Sequence, residues 1–169
     1  MANNLAAQGF NICIVSRNEA KINEKINELA KLYTVKFKAV VADFAKMNSI
    51  SDYQALIGDK LEDMNIGVLC ANAGMGHWGP FEDLANKEVE EVVSVNALHP
   101  VYIIKVLLQQ MLDRAKKTNV RCAIIITSSG LGSLPVPGCI SYSASKSFSS
   151  FIAEGLNFEL KEWIDVMSY

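Results

Sequence analysis

Tyr142 and Lys146 lie four residues apart in the run Tyr142-Ser143-Ala144-Ser145-Lys146. On a helix that spacing puts a phenol and an ammonium on one face, a turn apart. A free phenol, with a pKa near ~10, is a poor acid–base catalyst at neutral pH. A neighbouring cation and the positive end of a helix both favour a phenolate. Such a tyrosine can protonate the oxygen of a carbonyl that receives hydride, or deprotonate an alcohol in the reverse direction. The spacing also arises by chance, so its surroundings decide the matter.

Upstream stands Ser129, directly after the apolar run 123–128. In an open α/β sheet, ligands bind outside the carboxyl ends of the strands. A hydroxyl there can hold a substrate carbonyl by hydrogen bonding, although a lone serine after a strand is more often a turn former. Asn72-Ala73-Gly74 closes another apolar run. It reads either as plain turn punctuation or as a place where small residues let a ribose approach the backbone. Asn96 interrupts an otherwise apolar helix, where burying it unsatisfied is costly, so a bulge or a hydrogen-bonded water is implied.

These groups need a scaffold, and the chain supplies a regular one. Short β-rich runs at 11–16, 36–42, 66–71 and 123–128 alternate with helical stretches at 19–32, 49–61 and 87–115. That alternation predicts an α/β fold built on a parallel sheet. A last helix follows Ser141, with Phe148, Phe151, Ile152, Leu156 and Leu160 as its apolar stripe. The first seven residues read as a helix end closed by Gly9, and residues 164–169 as the opening of a strand.

Asn72-Ala73-Gly74, Asn96, Ser129 and Tyr142-x-x-x-Lys146 together resemble the short-chain dehydrogenase/reductase superfamily, in its order and spacing, from Leu5 to the last residue. The run from Ser128 to Pro137, and Gly9-Phe10-Asn11 leading to Ser16-Arg17, are most similar to the branch of 17β-hydroxysteroid dehydrogenases and very-long-chain 3-oxoacyl-CoA reductases. The resemblance implies a Rossmann-type, doubly wound parallel sheet and one NAD(P)-binding domain over residues 1–169. It implies Tyr142 as general acid/base, and Lys146 as the cation that tunes it and binds the nicotinamide ribose. Ser129 would orient the substrate oxygen, and Asn96 would hold a water linking Lys146 to a proton relay. The substrate expected is a small apolar carbonyl or alcohol compound, 3-oxoacyl or steroid-like. A homodimer is expected through the helices containing residues 101–111 and 148–160.

Cofactor choice has its own argument. In Rossmann folds an acid at the end of the second strand binds the 2′-hydroxyl of NAD, whereas an arginine accommodates the 2′-phosphate of NADP. Here that end reads Val15-Ser16-Arg17-Asn18, with no acid before Glu19. A guanidinium suits a phosphate and a carboxylate would repel it, so NADP(H) is expected at Ser16 and Arg17. Asp43 resembles the family's adenine-binding aspartate, and Asn72, Ala73 and Gly74 its ribose-side strand end.

The family's Thr-Gly-x-x-x-Gly-x-Gly pyrophosphate turn and the strand before it are not among these residues. The chain is therefore read as a domain lacking its first strand and its C-terminal strands. Strands 11–16 and 66–71 would then each lose a partner, and residues 1–169 alone are expected to be unstable and inactive. A rival reading is an inactive fragment that acts at most as a binding partner.

Composition narrows the field further. Half of the 169 residues are hydrophobic, a fifth are charged, and 16 basic against 18 acidic residues leave a net charge of −2. With no basic stripe, nucleic acid is not expected as a partner. Four cysteines and two histidines show no metal-ligand spacing and no disulfide framework, which suggests a reducing compartment. The longest apolar candidate, residues 95–111, is broken by His99-Pro100 and Lys105, so no membrane span is expected. The chain as printed reads as cytoplasmic, with an endoplasmic-reticulum location conceivable if a membrane anchor precedes it.

Overall fold

The computed structural model describes residues 1–169, which divide into two compact units, Met1–Asp43 and Phe44–Tyr169. The first unit runs α1 (Ala2–Ala7), β1 (Ile12–Ser16), α2 (Glu19–Ala30) and β2 (Phe37–Val41). Gly9, at φ 86°, closes α1 as expected. β1 and β2 pair in parallel, from Ile12 opposite Phe37 to Ser16 opposite Val41. A parallel pair needs a crossover, and α2 provides it. Asn18 starts α2 by accepting the Lys21 N–H at 3.0 Å, and the helix buries Ile22 and Leu29. The Asn11 side chain accepts the Lys36 N–H at 2.9 Å and fixes the register at the strand starts.

The second unit carries a parallel sheet of order β3-β4-β5, formed by β3 (Val68–Ala71), β4 (Cys122–Ile126) and β5 (Ile164–Ser168). Ile164–Ser168 thus form a full paired strand, with Ile164 opposite Cys122 and Ser168 opposite Ile126. β1 is hydrogen-bonded to β2 alone, and β3 to β4 alone. Ile124, Ile126 and Ile164 are fully buried between sheet and helices.

Before β3 come α3 (Ile50–Tyr53), a π turn and α4 (Asp59–Leu61). Ser49 and Asp52 form a reciprocal capping box at the start of α3. Between β3 and β4 lie α5 (Asn86–Val93) and α6 (His99–Thr118), and α7 (Ile140–Leu160) follows β4. The single helix expected at 87–115 is in fact α5 and α6 joined by a π turn, Ser94–Leu98. Asn96 is the reason: a polar side chain buried to 1% exposure needs partners, and the widened turn delivers it to them. The bulge read from the sequence is there.

The stretch Asn86–Thr118 is the one helix long and apolar enough to cross a membrane, yet half of its most apolar window is buried within the protein. Ile103, Ile104, Leu107 and Met111 all face the core. Near the start of α6, His99 stacks on Phe44 at 3.7 Å between ring centroids. Burial, helped by the charge of Lys146, pushes its pKa down to about 3 and keeps it neutral.

Candidate active site

The carboxyl ends of β3 and β4 and the start of α7 converge on Lys146. Its ammonium, on a side chain left 3% exposed, donates to the Thr127 carbonyl at 2.8 Å. Burial lowers its pKa. An ammonium has three donors, so this contact leaves two for a ligand rich in hydroxyls. Thr127 also donates from its hydroxyl to Asn72 Oδ1 at 2.9 Å, and its N–H donates to the Ala71 carbonyl. One residue thereby fixes the ends of two strands and the lysine between them. The sequence does not single out Thr127, because it holds Lys146 through a main-chain carbonyl that every residue has, and its hydroxyl meets Asn72 only once β3 and β4 have paired.

Tyr142 lies on the same face of α7, with Lys146 Nζ 5.7 Å from its ring centroid. The one-turn spacing read from the sequence is thus realised at the helix start. Gly74 ends the Asn72-Ala73-Gly74 run beside the lysine. A Cβ there would fall 3.2 Å from Lys146 Nζ and 3.5 Å from Asn96 Oδ1, so a larger residue would crowd both.

Asn96 holds the loop after Gly74. Its Oδ1 accepts the Met75 N–H at 2.9 Å, and its Nδ2 donates to the Met75 carbonyl at 2.8 Å and to Ser145 Oγ at 3.1 Å. Its main-chain oxygen accepts from Ser149 Oγ at 3.0 Å. The side chain is a three-way clamp between loop and α7.

The two serines after β4 divide their work. Ser128 donates to the Lys146 carbonyl at 2.9 Å and shares a hydrogen bond with Ser150, which ties β4 to α7. Ser129 accepts the Leu131 N–H at 3.2 Å, which starts a 3₁₀ turn, Gly130–Ser133. That bond uses an acceptor and leaves the hydroxyl proton available to a ligand oxygen. Gly132 in this turn abuts α7: a Cβ there would lie 2.9 Å from the Lys146 carbonyl carbon and 3.0 Å from Ser147 N. Only glycine lets the Ser129 loop lie this close to the α7 backbone.

Ser16, Arg17 and Asp43 belong to the unit Met1–Asp43. Ser16 ends β1 and its carbonyl accepts the Ala42 N–H at 3.0 Å, so Arg17 and Asp43 follow the carboxyl ends of two paired strands. Asn72, Ala73, Gly74, Asn96, Ser129, Tyr142 and Lys146 belong to the unit Phe44–Tyr169. Trp78 was not singled out from the sequence, yet its indole lies 5.3 Å from the Tyr142 ring, tilted by 49°.

Comparison with known proteins shows the family and the fold. The family described as short chain dehydrogenase matches residues 1–169. The chain is 32% identical to the very-long-chain 3-oxoacyl-CoA reductase of Anas platyrhynchos over 164 residues, covering 95% of this chain and 50% of that protein. It is 31% identical to the inactive hydroxysteroid dehydrogenase-like protein 1 of Homo sapiens, covering 94% of this chain and 46% of that protein. The chain thus spans about half the length of the curated relatives it matches. Among solved structures, a short-chain dehydrogenase from Sphingobium yanoikuyae in complex with NADPH superposes with a TM-score of 0.84 at 27% identity, over 99% of this chain and 62% of that one. The bulky-bulky ketone specific alcohol dehydrogenase from Comamonas testosteroni gives 0.86 at 25% identity, over 99% and 64%. With α/β units, parallel strands and a family match along its whole length, this chain belongs to the short-chain dehydrogenase family.

Proposed function

We propose that the protein is an NADP(H)-dependent oxidoreductase acting on a carbonyl or hydroxyl of an apolar substrate, 3-oxoacyl or steroid-like. The observation that carries this reading is the buried Lys146 ammonium, held by one carbonyl beside Gly74 and on the same helix face as Tyr142. When bound, NADP(H) would provide the hydride that the substrate carbon receives. Tyr142 delivers the proton to the substrate oxygen. Ser129 orients that oxygen with its free O–H, and Lys146 binds the ribose hydroxyls with its two remaining donors. Asn96 fixes the loop beside them, and the second lone pair of its carbonyl accepts a water that returns protons toward Lys146. Asn72, Ala73 and Gly74 are the residues proposed to contact the ribose, and Ser16, Arg17 and Asp43 those proposed to contact the adenosine moiety. The relatives named as a very-long-chain 3-oxoacyl-CoA reductase and an NADPH complex support the substrate class and the cofactor.

The test is NADPH oxidation by the complete protein, followed at 340 nm, with a 3-oxoacyl thioester and with a steroid ketone. Oxidation with neither sinks the reading. The Arg17→Asp variant should raise the KM for NADPH about tenfold or more and spare NADH, since a carboxylate repels the 2′-phosphate that a guanidinium binds. An equal loss with both cofactors removes Arg17 from the phosphate site.

A second reading rests on the relative named inactive: a domain of this family that binds without turnover. NADPH binding with no oxidation of either substrate would favour it.

We propose further that the protein forms a homodimer. α7 exposes Phe148, Phe151 and Phe158, which recur at helical spacing along one stripe. The α6 residues first expected to share that surface contribute less, because Ile103, Ile104, Leu107 and Met111 face the core. Phe151→Glu with Phe158→Glu should convert a dimer into a monomer in light scattering at micromolar concentration. A wild-type protein that is monomeric under those conditions counts against the proposal.

A further inference from the structure

Trp78 lies 62% exposed, an unusual place for a large ring in a loop that is otherwise tightly held. The loop is pinned at alternate residues. Met75 is held through both its N–H and its carbonyl by Asn96. The His77 ring stands between two carboxylates of α5, with Nδ1 3.2 Å from Glu88 Oε1 and Nε2 3.3 Å from Glu91 Oε2. Gly79 donates its N–H to the Gly138 carbonyl at 2.8 Å, which joins this loop to the one that follows Ser129.

The chemistry at His77 is specific. Both of its partners are acceptors only, and a neutral imidazole has a single N–H. Only the imidazolium can donate to both carboxylates at once. Its charged surroundings are Glu88, Glu91 and Lys87, whose ammonium is 3.7 Å from the other oxygen of Glu91. Glu88 is itself fixed, because its second oxygen accepts the Ala85 N–H at 2.9 Å and caps α5. His77 is therefore anchored to a rigid helix end.

Gly76 completes the seat. A Cβ there would lie 3.0 Å from Trp78 Cζ2 and 3.3 Å from Tyr142 Cδ2, so the indole and the phenol ring close over a residue without a side chain. The outcome is an indole fixed against the ring of Tyr142 with most of its area facing outward. An immobilised apolar surface binds ligands without the ordering cost that a mobile one incurs.

We propose that Trp78 is a specificity-determining residue, the apolar wall against which a bulky substituent of the substrate carbonyl packs. His77 is the positioning residue that holds it there through Glu88 and Glu91. This inference rests on the oxidoreductase reading above and deepens it. The substrate class is a ketone with a large apolar group beside the carbonyl, preferred over a small one.

The test uses the complete protein with NADPH, comparing kcat/KM for propiophenone and 2-butanone. Trp78→Ala should reduce the preference for propiophenone about tenfold, and Trp78→Phe should keep most of it. His77→Gln should act on the KM for propiophenone, raising it severalfold with a smaller effect on kcat, because the wall is displaced while the reacting groups stay. A direct readout is available because the chain has two tryptophans. In a Trp163→Phe background Trp78 is the sole indole, and His77→Gln should change its emission maximum and its quenching by acrylamide. Preference unchanged in Trp78→Ala, or indole emission unchanged in His77→Gln, overturns the assignment. If neither ketone is reduced by the wild type while the 3-oxoacyl thioester or the steroid ketone is, this inference alone fails; if none of the four is reduced, the oxidoreductase reading fails and takes this one with it. Reduction with unaltered preference overturns this inference alone.

Discussion

Tyr142→Phe should lower NADPH-dependent ketone reduction by about 10²–10⁴-fold, the usual contribution of a general acid, while leaving NADPH binding nearly unchanged. The substitution removes one hydroxyl and keeps the ring. The ring contacts that organise this corner therefore persist: Trp78 at 5.3 Å and the Lys146 ammonium at 5.7 Å from the centroid. Stability should consequently change little. kcat should carry the loss, because the proton is needed as the substrate oxygen gains charge and not when substrate binds. Cofactor fluorescence titration separates the two effects. A variant that keeps more than about a tenth of its rate would remove Tyr142 from the acid–base role.

Lys146→Met should damage both turnover and cofactor affinity, with a loss of about 10²-fold or more in kcat/KM, the scale set by removing one preorganised donor. Its effect on stability should be small or favourable. The ammonium is buried with one carbonyl partner, and burial lowers its pKa. The pH dependence follows from the same shift. Below the folded pKa both folded and unfolded states are protonated, and the desolvation penalty is fully present. As pH rises past the lowered folded value toward ~10.4, where an unfolded lysine titrates, the folded state sheds its proton first and the penalty is relieved. Wild-type stability should therefore gain from this group as pH rises through that window, and Lys146→Met should lack the gain. Thermal unfolding of both proteins between neutral and alkaline pH measures it. A Lys146→Met protein that unfolds well below the wild type at neutral pH would make the lysine a structural necessity.

The amino-acid sequence by itself determined the elements and their class. The continuous apolar run at 123–128 reads as a strand covered on both faces, and β4, Cys122–Ile126, is that strand. Ile22, Ile26, Leu29 and Leu32 recur at helical spacing, and α2 buries Ile22 and Leu29, whereas Leu32 lies beyond its end and is exposed. Tyr142 and Lys146 were legible because their relation is local: four residues on a helix are one turn, whatever the rest of the chain does. Asn96 was legible as an anomaly, since a buried amide must find partners.

The identity of those partners was not legible. Met75 and Ser145 meet Asn96 only after β3, α6 and α7 have packed, and nothing in the spacing of 75, 96 and 145 records it. The same holds for Thr127, which acts through its carbonyl, a group common to every residue. His77 looked like an isolated histidine in sequence. The fold places Glu88 and Glu91 on its two nitrogens, because residues three apart share a helix face that the loop happens to cross. Long-range contacts of this kind depend on where elements dock, and docking is set by the shape of the whole core, which no short window of sequence contains.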